Sequence, residues 1–260
     1  MRVALVSLNQ AWEDKKTNLT KIEGFLENQK LLDVEYVVFP ELTLTGFSMS
    51  TAELGEEIET SETIVNFQKL AVKFKKNFVF GLITQEKDKY YNSCIAINSN
   101  GELKGRYNKI HPFSFSGEDN YFSSGNEIVS VDWQGGWGLT ICYDLRFPEL
   151  YQALSKENHI LISIANWPKR RVAHWRNLLI ARAIENQAFM IGVNRTGTDG
   201  NNLEYEKSSV IITPEGEQLR PEETFEEVEI FTIELEKAYQ YRKDFPVKRD
   251  RRADFYKTIL

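Results

Sequence analysis

Three segments of this chain end an apolar, strand-like run with an ionisable side chain. They are VVFPEL at Glu41, GRYNKIHPF at Lys109 and GLTICYDLRFPEL at Cys142. Strand ends on one edge of a sheet converge in space, and α/β proteins place their sites there. A carboxylate, an ammonium and a thiol brought together can attack a carbonyl. A thiol attacks as thiolate, and its ordinary pKa is about 8.5. An ordinary glutamate, near 4.3, is roughly four units too acidic to take that proton, a gap of roughly 6 kcal/mol. Burial raises a carboxyl pKa and a nearby ammonium favours the thiolate, so both close the gap. The ammonium of Lys109 then has a second use, holding the oxyanion that forms on the attacked carbonyl. The second expected donor is the backbone N–H of Tyr143, directly after the nucleophile in a strand–turn–helix elbow.

The elements that must position these groups alternate. Strands are predicted over 3–8, 36–39, 78–84, 91–98, 102–110, 139–142, 159–165, 188–194, 208–213 and 227–235. Helices are predicted over 17–32, 61–75 (with Ser61 as N-cap), 147–157 and 172–187, from apolar residues at helical spacing. Apolar strands alternating with helices mean sheets covered by helices, and the Asn98–Gly101 turn adds antiparallel pairing. If helices cover only one face of each of two sheets, the bare faces pack together as a four-layer α-β-β-α sandwich. Periodicity alone does not force that arrangement.

The Glu, Lys and Cys segments resemble, in chain order and separation, the motifs of the nitrilase, or carbon–nitrogen hydrolase, superfamily. CYDLRFPEL, ARAIENQ, GVNRTG and the tail YRKDFPVKRDRRADFY are similar to its amidase branch, and within it most like the ω-amidases that hydrolyse α-keto acid ω-amides. The resemblance spans almost the whole chain. It implies the four-layer fold over residues 1–260 as one domain, no metal or cofactor, and a homodimer with the tail 236–260 at the contact. It maps the base onto Glu41, the lysine onto Lys109, the nucleophile onto Cys142 and a second active-site glutamate onto Glu118. The expected reaction is hydrolysis of a small carboxylated primary amide, such as 2-oxoglutaramate, through a thioester. A nitrilase or an N-carbamoyl amino-acid hydrolase would use the same trio, and an inactive binding or scaffold subunit is the reading of another class.

Each residue also has a plainer reading. Cys142 alone would be a buried structural thiol, Glu41 a helix cap, Lys109 a solvated strand end, and Glu118, beside Asp119, a surface acid. The trio in matching contexts outweighs the first three readings. Asn166-Trp167-Pro168-Lys169-Arg170-Arg171 follows the strand after the nucleophile and is expected at the pocket mouth. It is either a solvated basic turn or a carboxylate clamp through Arg170 or Arg171, with Trp167 and Phe113 as apolar walls. Cys94 reads as core. His159 and His111 read as structural, and His174 as an improbable base while a glutamate is at hand.

Composition bounds the rest. The net charge of -6 over 260 residues argues against nucleic acid as a partner. The basic run 248–252 reads as a solvated tail or a dimer contact. No stretch reaches membrane-spanning length, and the first residues are too quickly polar for a signal peptide. With two cysteines the expectation is a reducing, cytoplasmic setting. A Cys94–Cys142 bridge would inactivate the nucleophile.

Overall fold

Side-chain alternation along the strands sorts the chain into layers. In Arg2–Val6, Val3 and Leu5 join one apolar cluster while Ala4 and Val6 join another. Cys94 and Ala96 alternate in the same way with Ile95 and Ile97. A strand read on both faces by different partners must lie between two layers. The structure, a computed structural model describing residues 1–259, shows which layers these are.

The first sheet has eight strands. Its path runs Glu223–Phe225, Val228–Thr232, Arg2–Val6, Tyr36–Val38, Asn77–Glu86, Lys89–Ile97 and Leu103–Asn108, with Glu56–Glu57 paired to Asn77–Glu86 off the path. Arg2–Val6, Tyr36–Val38 and Asn77–Glu86 are mutually parallel, and the next two strands are antiparallel. The second sheet runs Val210–Ile212, Phe189–Asn194, Ile160–Ala165, Trp137–Ile141 and Ser130–Val131, with the middle three parallel. Helices Lys15–Leu26 and Glu62–Phe74 cover the outer face of the first sheet through Ile22, Phe25, Phe67 and Leu70. Helices Pro148–Leu154 and Val172–Asn186 cover the outer face of the second through Tyr151, Leu154, Trp175 and Leu179. The two inner faces pack together, so the fold is the four-layer α-β-β-α sandwich.

Local chemistry explains the helix starts. Asp14 accepts from Thr17 N at 2.9 Å, and Ser61 accepts from Ile64 N at 3.1 Å, the cap expected of it. The helix expected over 17–32 stops at Leu26 instead. Asn28 accepts from Lys30 N at 3.0 Å and opens a separate 3-10 turn, Gln29–Leu31, because its side chain competes with helical bonding. The short strands Ser130–Val131, Gly197–Thr198, Glu204–Tyr205 and Glu223–Phe225 fall outside the sequence expectations; two or three residues carry no period to detect.

The tail also holds structure that the sequence reading left open. Helix Glu236–Asp244 buries Ala238, and Arg242 donates to the carbonyls of Gln187 and Asn158 at 2.8 and 2.7 Å. Lys248, in the run read as a solvated tail or a dimer contact, is half-buried against the carbonyl of Ser155 within the same chain. No helix among the described residues is long and apolar enough to cross a membrane.

Candidate active site

Strand Trp137–Ile141 ends where Cys142 takes φ 45°, in the left-handed region. Such a φ on a non-glycine residue costs of order 1–3 kcal/mol and persists only when its surroundings enforce it. Here the enforcement comes from Asp144. Its carboxylate accepts from Ile141 N at 3.0 Å, Tyr107 Oη at 2.8 Å and His111 N at 3.1 Å, with His111 Nδ1 at 2.8 Å. Tyr107 and His111 flank Lys109, so the acid of the cysteine turn also fixes the segment that carries the lysine. Cys142–Arg146 is a 3-10 turn, and the Tyr143 N–H lies in its first turn, where a helix offers no internal acceptor.

Glu41 follows strand Tyr36–Val38 through Phe39 and Pro40. Its loop lies directly on Gly81: Thr43 N donates to Gly81 O at 3.0 Å, and Gly81 N donates to Thr43 Oγ1 at 2.9 Å. A Cβ at position 81 would come within 2.1 Å of Leu42 N, so glycine is required there. Gln10 Nε2 donates to the carbonyls of Glu41, Leu42 and Thr43 at 3.0, 2.9 and 3.2 Å. Lys109 follows strand Leu103–Asn108, with its N–H on Asn92 O at 2.9 Å and its carbonyl accepting from Gly125 N at 2.8 Å.

These elements bring the expected residues together. Lys109 Nζ donates to Glu41 Oε1 at 2.9 Å and to both Glu118 oxygens at 3.0 and 2.9 Å. Glu41 and Glu118 are 0% exposed and Lys109 1%. The surface reading of Glu118 is therefore excluded, and Phe113 N holds its Oε2 at 2.5 Å. Sequence reasoning missed Asn92, whose Nδ2 bridges Glu41 Oε1 (2.7 Å) and Glu118 Oε1 (3.0 Å). The available signal was a polar Asn92-Ser93 pair inside the otherwise apolar run from Tyr90 to Ile97. Asn166, expected against a substrate, lines the cavity but also clamps Glu41. Its N donates to Glu41 Oε2 at 2.8 Å and its Nδ2 to Glu41 O at 2.7 Å.

The electrostatics revise one expectation. Burial alone would lower the Lys109 pKa, but the Glu118 and Glu41 carboxylates override it and the net shift is upward. One ammonium between two carboxylates leaves the cluster with an excess negative charge. The Cys142 thiol is accordingly pushed well above its ordinary value, first by burial and then by Glu41, against the opposing pull of Lys109. Lys109 pulls the thiol pKa down, in the expected direction, and burial with Glu41 outweighs that pull. Cys142 and Cys94 are both free, and Cys94 is buried in the core as expected.

The cavity above Cys142 has a volume of about 260 Å³. Phe113, Trp167, Arg170 and Arg171 line it as expected, and so do Phe47, Arg146, Leu203 and Tyr205, which the sequence reading did not single out. Trp167 is locked by Asn194, which accepts from Trp167 N at 2.7 Å and donates to its carbonyl at 3.0 Å. Arg171 lies over the Phe113 ring at 5.3 Å, and Arg146 over Trp167 at 4.9 Å. Neighbouring Lys169 pairs with Glu204 at 2.9 Å, whereas Arg146, Arg170 and Arg171 have no acidic partner among the described residues. Burial, then repulsion from Arg170 and Arg146, lowers the Arg171 pKa.

None of the histidines reaches this cavity wall. His111 stacks on Phe147 at 3.8 Å, and His174 is an exposed residue near Arg146. His159 lies by Gly135 O, its pKa lowered to about 4 by burial and Arg242.

The carbon-nitrogen hydrolase family model matches residues 2–243. The chain belongs to the carbon–nitrogen hydrolase family. It is 32% identical over 265 residues to the "hydrolase in agr operon" of Staphylococcus aureus, covering 99% of this chain and 100% of that one. It is 36% identical over 245 residues to the 2-oxoglutaramate amidase of Bacillus subtilis, covering 92% and 93%. Among solved structures, a CN-hydrolase superfamily protein of Xanthomonas campestris with an arsenic adduct in its active site superposes with a TM-score of 0.89. That pair is 28% identical over 96% of this chain and 97% of the other. Such likeness places this carbon–nitrogen hydrolase in the amidase branch of the nitrilase superfamily.

Proposed function

We propose that the protein is a cysteine-dependent amidase that hydrolyses the ω-amide of a keto dicarboxylic acid, such as 2-oxoglutaramate, to the acid and ammonia. One observation carries the reading. The Glu41–Lys109–Glu118 cluster meets Cys142 in a cavity whose mouth holds three arginines without acidic partners. Cys142 Sγ attacks the amide carbon as Glu41 takes the thiol proton, and Lys109 and the Tyr143 N–H hold the oxyanion. The C–N bond breaks as Glu41 returns that proton to the leaving nitrogen, so ammonia departs and a thioester remains. Glu41 then deprotonates a water that attacks the thioester carbon, and Sγ leaves as the thiol. Glu118 orients Lys109 and touches no reacting atom.

Arg171 is the clamp for the far carboxylate. It is half-buried, whereas Arg170 is exposed, and a desolvated guanidinium on an aromatic face binds a carboxylate best. The 2-oxoglutaramate amidase activity of the Bacillus subtilis relative supports the same substrate class.

The test is ammonia release from a panel: 2-oxoglutaramate, 2-oxosuccinamate, an uncharged aliphatic amide, a nitrile and an N-carbamoyl amino acid. The keto-acid amides should give the highest kcat/KM, and Arg171→Met should raise their KM by about tenfold or more with little effect on the uncharged amide. Preference for the nitrile or the carbamoyl compound overturns the substrate assignment. If nothing on the panel is turned over and Cys142 forms no adduct with an electrophilic amide analogue, the scaffold reading stands.

A further inference from the structure

The cavity wall contributed by the hairpin Gly197–Thr198 and Glu204–Tyr205 continues from the GVNRTG motif, and Tyr205 itself lies outside every motif singled out in the sequence. Its Tyr205 is gripped from two sides. The hydroxyl donates to Asp199 Oδ2 at 2.8 Å, and the ring lies 4.7 Å from the Arg195 guanidinium. Arg195 is fully buried and donates to the carbonyls of Gln10 and Thr196 at 3.2 Å and of Thr198 at 3.3 Å. Asp199 accepts further bonds from Asn201 N at 2.8 Å and Leu203 N at 2.9 Å, so one carboxylate shapes the loop and holds the tyrosine. The hairpin has no space behind it. A Cβ at Gly200 would come within 2.5 Å of the Trp12 ring. On its other side, Glu204 pairs with Lys169, next to Arg170 and Arg171.

A mobile loop would adapt to the ligand; a side chain fixed in this way does not. We propose that Tyr205 is the specificity-determining residue that limits the acyl-chain length accommodated between Cys142 and Arg171. The inference rests on the amidase reading above. Tyr205 lines the cavity together with Cys142 and Arg171, so a substrate held at both ends meets the fixed ring as its chain lengthens. A pocket discriminates one methylene by about tenfold or more.

The experiment measures kcat/KM for two homologous series in wild type, Tyr205→Phe and Tyr205→Ala. One series is the ω-amides of 2-oxo dicarboxylic acids with four, five and six carbons. The other is the plain straight-chain primary amides of the same lengths. In the alanine variant, the ratio of the longer to the preferred amide should rise about tenfold or more in whichever series is turned over. Tyr205→Phe keeps the ring and should hold the wild-type ranking. If the alanine variant does not fold, by circular dichroism and stoichiometric labelling of Cys142, Tyr205→Leu should shift the ratio the same way by a smaller factor. A length ratio unchanged within about twofold in the folded variants overturns the role of Tyr205. Wild-type inactivity on the keto-acid series with activity on the plain series overturns the substrate class instead, while the length test stands.

Discussion

Removing the ammonium from between its two carboxylates is the sharpest test of the buried cluster. Lys109 Nζ lies 2.9 Å from Glu41 Oε1 and 2.9 Å from Glu118 Oε2, with all three side chains out of solvent. The nearest carboxylate oxygens are therefore no more than about 6 Å apart, and their repulsion at an effective dielectric of 20 is roughly 3 kcal/mol. Breaking a buried pair by deleting one partner typically costs about 3–5 kcal/mol, in agreement. Lys109→Met should thus lose about 3–5 kcal/mol of unfolding free energy at pH 8, measured by urea denaturation. The loss should shrink as pH falls, because the folded variant relieves its repulsion by binding a proton that the unfolded chain does not yet bind. The slope cannot exceed about 1.36 kcal/mol per pH unit for one proton. Adding Glu118→Gln removes the second charge and should recover about 2–3 kcal/mol at pH 8. In wild type the sign is the same, but the window lies higher. The Lys109 pKa is raised from 10.5, so its stabilisation is fully present below that value and fades only at higher pH. A Lys109→Met protein within about 0.5 kcal/mol of wild type, or one whose deficit is flat from pH 8 to pH 5, refutes the electrostatic account.

Two further outcomes follow from the geometry. Modification of Cys142 by methyl methanethiosulfonate should climb about tenfold per pH unit through pH 9 without a plateau, since burial and Glu41 hold the thiol up; a plateau below pH 8, read by mass spectrometry, would mean a preformed thiolate. Gly81→Ala places a Cβ 2.1 Å from Leu42 N and must move the Glu41 loop, so turnover should fall about a hundredfold while stability drops by about 1–3 kcal/mol. Wild-type turnover in that variant would detach Glu41 from the chemistry.

The chain's own order of residues determined the candidate trio, because strand-ending motifs at Glu41, Lys109 and Cys142 are local and each can be read in a window of a few residues. The same holds for the strand–helix alternation and for helix Val172–Asn186, whose limits were legible to within a residue. Tertiary structure alone decided how the charges balance. Asn92 meets Glu41 across 51 positions of sequence, and Asn166 meets it across 125. Whether the lysine activates the thiol or neutralises two acids depends on those distances and on burial, which no local pattern encodes. The Tyr205 wall is a second case. Its hairpin is too short to show a period, and Trp12, which backs it, comes from near the start of the sequence.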